Sequence, residues 1–319
     1  MKNNFSTKTL PVGSLGILSA SIPVITFIGK KPGKKIVITA TVHGNEITSL
    51  FVLNELISLL RVCTVQEGEV VIVPVVNPLG LAFGTRREPL DEENLNREFP
   101  GSSSKSLGKR ITNAIWDQAQ DADFIIDLHT FTSRQCVFTG VMVKTGTKID
   151  EEIIRIMKRI RPDCVWCIDM NRDEDKRFYG AIDVVAASKQ IPAMTLEMER
   201  LTNVSESKIM RYVSSIMSVL HELRIIDLPD GIHESHKKDI PVFEGHYLYC
   251  DMSGLFFPCV SVLEKITNNS LLGEVVDITT FEKNNVYSPM DGTILTIRYK
   301  DFVRTGSKLA SIGTYVGLL

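Results

Sequence analysis

The sequence predicts an α/β domain followed by a smaller all-β domain. Up to about residue 228, short apolar runs rich in Val and Ile alternate with segments of helical periodicity, which is typical of a largely parallel sheet covered by helices. After Leu228, only short strand-like runs remain, separated by Gly, Pro and Asn. The length of 319 residues exceeds one average domain and falls short of three. We therefore predict an α/β domain over residues 1–230 and a β-domain over residues 231–319.

Four apolar runs predict buried strands, because they are short and nearly continuous. They cover residues 35–42, 69–76, 123–128 and 193–198. Three other segments repeat apolar residues at helical spacing, and these cover residues 46–60, 104–119 and 205–223. Strands that alternate with helices run mostly parallel, so we expect the four strands to end at one common carboxyl edge.

An internal repeat supports the β-domain. Residues 252–256 (MSGLF) resemble residues 290–294 (MDGTI), and an apolar strand follows each copy, at 271–278 and at 308–312. Two similar β-halves indicate a small sandwich or barrel. The turn Pro229-Asp230-Gly231 and the polar segment after it mark the boundary, and we expect His233 and His236 there to be surface residues.

Composition excludes several classes of function. Lys and Arg number 36 against 38 Asp and Glu, so the chain lacks the basic excess of a nucleic-acid-binding protein. Residues 1–8 lack the order of a signal peptide, and the richest apolar run, 47–60, is too short and too polar to span a bilayer. Six cysteines do not make a disulfide framework in a chain of this length. We expect a cytoplasmic protein without nucleic-acid or membrane partners, and the sequence is compatible with a homo-oligomer.

Polar motifs follow the predicted strands at the edge where ligands bind in open α/β sheets. His43 and Glu46 follow the first strand across a tight turn, and His129 ends the third strand. Two imidazoles and one carboxylate can hold a zinc ion and leave a fourth position for water. The alternatives are a helix-capping role for His43 and a purely structural hydrogen-bonded pair of Asp127 with His129.

The remaining strand ends add a carboxylate and several arginines. Alternation along residues 193–198 places Glu197 and Glu199 on one face, and a carboxylate that faces a metal-held water can serve as a general base. Periodicity does not choose between the two glutamates, and both could be solvated charges. The loop 77–101 carries Arg86 and Arg97, and guanidinium groups bind carboxylates and stabilise oxyanions, unless they are only solvated at the surface.

In chain order, the motifs HGNE, NP…GTR, NLNREFPG, DLHT and TLE resemble the succinylglutamate desuccinylase/aspartoacylase family, a branch of the zinc-carboxypeptidase fold. The resemblance covers nearly the whole chain, since a β-domain after the catalytic domain is also a family feature. It implies a mixed, mostly parallel sheet flanked by helices and a barrel-sandwich-like C-terminal domain. It also implies a zinc-dependent amidohydrolase, with one zinc per chain, that cleaves the amide bond of a small N-acyl amino acid.

The same resemblance implies a role for each site residue. The zinc ligands correspond to His43, Glu46 and His129, the catalytic base to Glu197 rather than Glu199, the carbonyl-polarising arginine to Arg86, and the substrate-carboxylate pair to Asn96 and Arg97. One departure is Asn94, which replaces the family's usual aspartate. We expect Asn94 to touch no ligand directly and to affect only the position of its loop. Tyr287 is expected to bring an aromatic hydroxyl from the β-domain to the substrate, with Tyr179 as its competitor.

Two other classes of function stay open. A metallocarboxypeptidase would use the same zinc ligands to release a C-terminal residue from peptides, whereas a non-catalytic binding protein would need no general base. Two further motifs are expected to be unrelated to catalysis. The Cys164–Cys167 spacing has no second cysteine pair beside it, and Lys283 lacks the hairpin sequence of a lysine that carries a prosthetic group.

Overall fold

The computed structural model describes residues 4–15, 18–228 and 239–319. The predicted turn at 229–231 and the two histidines at 233 and 236 therefore lie outside the described residues. The described helices are α1 (Thr48–Val62), α2 (Pro78–Phe83), α3 (Leu107–Ala119), α4 (Lys148–Ile160), α5 (Ile182–Ser188) and α6 (Glu206–Glu222), with short 3-10 helices at Leu95–Arg97, Asp173–Phe178 and Leu201–Asn203.

The strands divide between the two parts of the chain. Those in the first part are β1 (Asn4–Leu15), β2 (Leu18–Ile28), β3 (Lys31–Ala40), β4 (Glu67–Val73), β5 (Phe124–Thr130), β6 (Arg134–Gln135), β7 (Thr139–Lys144), β8 (Cys164–Asp169) and β9 (Ala193–Met198). Those in the second part are β10 (Pro241–Tyr249), β11 (Gly254–Pro258), β12 (Lys265–Ile266), β13 (Leu271–Val276), β14 (Lys283–Tyr287), β15 (Gly292–Arg298), β16 (Asp301–Val303) and β17 (Lys308–Leu318). All four predicted strands and all three predicted helices of the first part are present, with ends that differ by a few residues.

Most of these strands form one mixed sheet in the order β1-β2-β4-β3-β5-β9-β7-β8-β10-β17-β15-β12. The central pairs β3–β4, β3–β5 and β5–β9 are parallel. Strand β7 runs antiparallel to β9 and parallel to β8, and the hairpin β1–β2 extends the sheet beyond β4. The predicted mixed sheet flanked by helices is confirmed, with parallel pairs concentrated at its centre and antiparallel pairs toward both ends.

Helices cover both faces of this sheet, which explains why its central strands are apolar throughout. In β3, Ile36 and Ile38 are fully buried in the core that includes side chains of α1, α4 and α6. Val37 points the other way, into the core that includes α3 and α5. Since both faces are used for packing, the carboxyl edge of the strands is where polar side chains can gather.

The second part contains only strands within described residues 239–319, as predicted. A second sheet, in the order β14-β13-β11-β16, packs on the end of the large one, and the two repeat copies supply Phe256 and Ile294 to their common core. Strands β10 and β17 are nine and eleven residues long, longer than the short runs predicted there. Strand β10 pairs in parallel with β8, so the large sheet continues from the first part into the second.

Candidate active site

His43 and Glu46 lie in the tight turn between β3 and α1. The backbone N–H of Glu46 donates to the carbonyl of His43 at 3.0 Å, which places the two side chains on the same side of the turn. Nδ1 of His43 is then 2.9 Å from Oε1 of Glu46. Gly44 is required at this point because a Cβ there would lie only 1.9 Å from the carbonyl carbon of Gly80.

His129 joins this pair from the neighbouring strand β5. Its Nδ1 lies 2.8 Å from Oε2 of Glu46 and 3.2 Å from Nδ1 of His43. The three side chains are buried, and their ligand atoms lie within 4.8 Å of one another. The structure thus brings together the three residues that the sequence analysis names as metal ligands.

Each histidine also makes a hydrogen-bonding contact through Nε2, the ring nitrogen that does not face Glu46. Oδ2 of Asp127 lies 2.7 Å from Nε2 of His129, and Oδ1 of the same carboxylate accepts a hydrogen bond from the Thr39 hydroxyl. Oδ1 of Asn94 lies 2.9 Å from Nε2 of His43. The expectation that Asn94 touches no ligand is wrong, because the 3-10 turn that Asn94 caps returns the loop to the end of β3.

This arrangement fits a metal ion with tetrahedral coordination. Each Nε2–H donates a hydrogen bond to an oxygen of Asn94 or Asp127, so each Nδ1 atom carries a free lone pair. Both lone pairs point toward Glu46. Two Zn–N bonds of about 2.05 Å at the tetrahedral angle would separate the nitrogens by about 3.3 Å, which is close to the observed 3.2 Å between the Nδ1 atoms of His43 and His129. Two imidazole nitrogens and a carboxylate also form a donor set that suits such an ion.

The pKa shifts of the three residues differ in direction and in cause. Burial lowers the pKa of His43 to about 4, against the attraction of Glu46. Burial also opposes the charge of Glu46, yet the two histidines and Arg86 hold the pKa of this carboxyl well below its usual range. At His129, burial is outweighed by Asp127 and Glu46, which raise the pKa of the imidazole well above its usual value. A cation at this position would satisfy the same carboxylates.

Glu197 lies beside the candidate metal-binding group formed by His43, Glu46 and His129. Strands β5 and β9 are adjacent and parallel, and His129 is directly opposite Glu197 in their register, so both side chains leave the sheet on the same face. Burial raises the pKa of Glu197 to about 7, which suits a group that exchanges protons near neutral pH. Glu199 lies beyond the end of β9 and pairs with Lys208, with oxygen to nitrogen distances of 2.7 and 2.6 Å.

A small cavity of about 110 Å³ adjoins the group and includes Glu197 in its lining. Arg86, Asn96 and Arg97 also line it. Arg86 donates a hydrogen bond to Glu46 from a half-exposed position. Asn96 accepts a hydrogen bond from the N–H of Ile182 at 3.2 Å, and Arg97 stacks its guanidinium 5.3 Å from the ring centre of Phe178.

The tyrosines that the sequence analysis names lie elsewhere. Tyr287 is half exposed in β14, where its hydroxyl accepts a hydrogen bond from Asn285 at 3.0 Å, and it does not line the cavity. Tyr179 is also exposed and lines a separate surface depression. The aromatic residue that the second part of the chain contributes is Tyr247 of β10, which lines the cavity together with Lys308 of β17.

Sequence reasoning missed Tyr247, Lys308 and also Arg134, another residue in the cavity lining. Arg134 follows the DLHT motif by four positions, and that proximity could have drawn attention to it. Nothing in the local sequence marks Tyr247 or Lys308, because the pairing of β10 with β8 and β17 brings them to the site.

Neither of the other two motifs lines the cavity. Cys164 and Cys167 are buried within strand β8, and Lys283 forms an ion pair with Glu274 at 2.9 Å. No helix in the described part of the chain has both the length and the hydrophobicity needed to cross a bilayer.

Residues 32–223, more than half of the chain, match the family model for the succinylglutamate desuccinylase/aspartoacylase catalytic domain. The chain belongs to this family. An aspartoacylase family protein from Mesorhizobium loti has the same fold, with a TM-score of 0.81 at 22% identity over 98% of this chain and 96% of that chain. The shared fold therefore includes the C-terminal all-β part of the chain.

Two curated relatives match parts of the chain. An N-alpha-acetyl-L-2,4-diaminobutyric acid deacetylase from Halomonas elongata is 36% identical over 110 residues, which are 34% of this chain and 32% of that protein. A succinylglutamate desuccinylase from Shewanella woodyi is 26% identical over 219 residues, which are 62% of this chain and 60% of that protein. These matches span less than two thirds of the length of either relative.

Proposed function

We propose that the protein is a zinc-dependent amidohydrolase that removes the acyl group from a small N-acyl amino acid. The observation that carries this proposal is the position of Glu197, which lies beside His43, Glu46 and His129 and lines the same small cavity as the two histidines. Membership of the succinylglutamate desuccinylase/aspartoacylase family supports it, and both curated relatives are named as enzymes that remove acyl groups.

His43, Glu46 and His129 would hold one zinc ion per chain. Zinc in such a site supplies a water of lowered pKa and polarises a carbonyl oxygen. Glu197 accepts a proton from the attacking water at its carboxylate and later donates it to the leaving amine nitrogen. Arg86 lies close enough to Glu46 to place its guanidinium beside the developing oxyanion, a contribution of about 3 kcal/mol for one such donor.

Asn96 and Arg97 would bind a carboxylate of the substrate and fix its orientation relative to Glu197. Burial lowers the pKa of the Arg97 guanidinium and the nearby carboxylate of Asp183 opposes this shift, so a substrate carboxylate would meet a desolvated cation. We assign these catalytic residues to a domain spanning residues 1–230. The domain spanning residues 231–319 would close the cavity with Tyr247 and Lys308 and so favour small substrates over peptides.

The first experiment combines metal analysis with a substrate screen. After zinc reconstitution and dialysis, we expect about one zinc per chain, lost when His129→Ala removes one of three protein ligands. The reconstituted protein should hydrolyse N-acyl amino acids, as followed by release of the free amine, and should leave peptides intact. Absence of retained metal would defeat the proposal, whereas release of C-terminal residues from peptides would favour a metallocarboxypeptidase.

A further inference from the structure

Lys308 of β17 is a cavity residue that the proposed mechanism does not use for any chemical step. Its Nζ atom lies 3.1 Å from the ring centre of Tyr247, and both residues line the cavity that contains Glu197. Among the residues that the structure describes, no carboxylate forms an ion pair with Lys308. The amine therefore lies against an aromatic ring at the cavity, without the partner that would hold it as an ammonium ion.

Cationic side chains from other elements surround this amine. The guanidinium carbon of Arg177 lies 3.7 Å from the same ring centre, and that of Arg134, from β6, lies 5.9 Å from it. Burial is the largest cause that lowers the pKa of Lys308, the charges of Arg134 and Arg177 come next, and the pKa falls to about 6. Arg86 and Arg97 act in the same direction. Lys308 is therefore mostly a neutral amine at neutral pH, and a neutral amine is a nucleophile.

The surroundings of Lys308 also favour a negative charge. Arg134 donates hydrogen bonds only to the hydroxyls of Thr296 and Ser311 among the described residues, at 3.3 and 3.4 Å. The Nε and Nη2 atoms of Arg177 are buried and have no hydrogen-bond partner in the part of the chain that the structure describes. Like charges that are partly buried repel one another, and buried donors without acceptors cost free energy. An anion attached to Lys308 would reduce this repulsion.

We propose that Lys308 is a site of reversible carbamate formation with carbon dioxide. The neutral amine attacks the carbon of CO₂, a nitrogen–carbon bond forms, and one carbon–oxygen π electron pair moves onto oxygen. The nitrogen then releases one proton to solvent, so that R–NH₂ and CO₂ give R–NH–COO⁻ and H⁺ without oxidation or reduction. The product is the anion that the surrounding guanidinium groups lack. An exposed lysine with an ordinary pKa stays protonated at neutral pH and does not react in this way.

The carbamate would alter the cavity in two ways. It would replace a neutral amine with a negative charge, and it would fill part of a cavity of only about 110 Å³. Carbon dioxide would therefore compete with a carboxylate-bearing substrate for this space. That consequence rests on the proposed function, whereas the carbamate itself can be tested without catalysis.

The test uses the full-length, zinc-reconstituted protein equilibrated with carbon-13 bicarbonate, which supplies labelled CO₂. Carbon-13 NMR should show a carbamate carbonyl resonance that is separate from those of bicarbonate and dissolved CO₂. Lys308→Arg keeps a positive charge but removes the reactive amine, so it should reduce this resonance by about tenfold or more. Lys265→Arg is the matched control, because Lys265 is an exposed lysine of β12, and it should leave the resonance unchanged.

A second measurement locates the group without any variant, in case Lys308→Arg does not fold. A trialkyloxonium reagent converts a carbamate into a stable ester, and mass spectrometry of peptides from the parent protein should find this ester on Lys308. A resonance that persists in full in Lys308→Arg, or an ester confined to the amino terminus and to exposed lysines, would overturn the proposal. If the carbamate formed but the protein hydrolysed no amide, the proposed function would fail and the modification site would stand.

Discussion

Oδ1 of Asn94 accepts a hydrogen bond from Nε2–H of His43 at 2.9 Å and, from the other direction, one from the backbone N–H of Asn96 at 3.2 Å. The equivalent atom of His129 is held by a carboxylate, that of Asp127, at 2.7 Å. The two candidate metal-binding histidines therefore differ in the group that contacts Nε2, which is a neutral amide for His43 and a charged carboxylate for His129. A carboxylate makes an imidazole a stronger ligand than an amide does.

Asn94→Asp should therefore tighten metal binding, and Asn94→Leu should weaken it, each by about 10-fold or more. The leucine variant removes the acceptor that selects the His43 tautomer, whereas the aspartate variant replaces it with a charged one. Metal affinity is measured by competition with a chelator of known zinc affinity. Equal affinities in the parent and both variants would show that Asn94 does not act through His43.

Glu197→Gln should retain the metal and lower kcat by roughly 10²- to 10⁴-fold, the usual contribution of a positioned general base. Glutamine preserves the size of the side chain but cannot accept a proton. Glu199→Gln is the matched control, because Glu199 pairs with Lys208 and should leave kcat nearly unchanged. A reversed result, with Glu199 essential, would assign the base to the other glutamate.

Activity should decline in acid as Glu197 becomes protonated. Burial raises the pKa of Glu197 to about 7, and the positive charges of His129, Arg86 and Arg134 oppose this shift. A bound divalent cation would oppose it further, so the midpoint of the acid limb of kcat/KM should lie at or below about pH 7. Below that midpoint, the rate should drop about tenfold per pH unit. A midpoint above about pH 8 would contradict this assignment.

Arg97→Ala should raise KM for substrates that carry a carboxylate and have little effect on an uncharged N-acyl amide. The expected loss is about 10- to 100-fold in kcat/KM, because a desolvated charge-assisted contact disappears. Arg87→Ala serves as the control, since the exposed Arg87 side chain donates to the Glu92 carbonyl at 2.8 Å and does not line the cavity. If charged and uncharged amides lost activity equally, Arg97 would have another role.

The sequence predicts that the candidate metal-binding residues and Glu197 lie together, because these residues follow continuous apolar strands. His43, His129 and Glu197 each lie at the end of a strand buried on both faces, and parallel strands in one sheet place their carboxyl ends together. The hairpin β1–β2 could not be found in this way. Its polar and apolar residues alternate on a partly exposed edge, and Pro11 and Gly13 interrupt the pattern beside a register shift.

The other residues that line the cavity are harder to predict because distant strand pairings position them. Tyr247 and Lys308 reach the cavity only because β10 pairs with β8 and β17, and no local pattern encodes those partners. Asn94 shows the same limit on a smaller scale. Its motif predicts a loop near the site, but the contact with His43 depends on how tightly the 3-10 turn closes.

The parallel pairing of β10 with β8 has a consequence for attempts to dissect the protein. A Cβ at Gly245 of β10 would lie 2.2 Å from the Trp166 indole of β8. The indole can therefore pack against β10 only because residue 245 has no side chain. Cutting the chain after residue 228 would expose the hydrogen-bonding edge of β8 and an indole that is now buried. We therefore expect the isolated first part to aggregate. Substrate preference should be altered by substituting single side chains in the intact protein, and not by exchanging the β-domain as a separate unit.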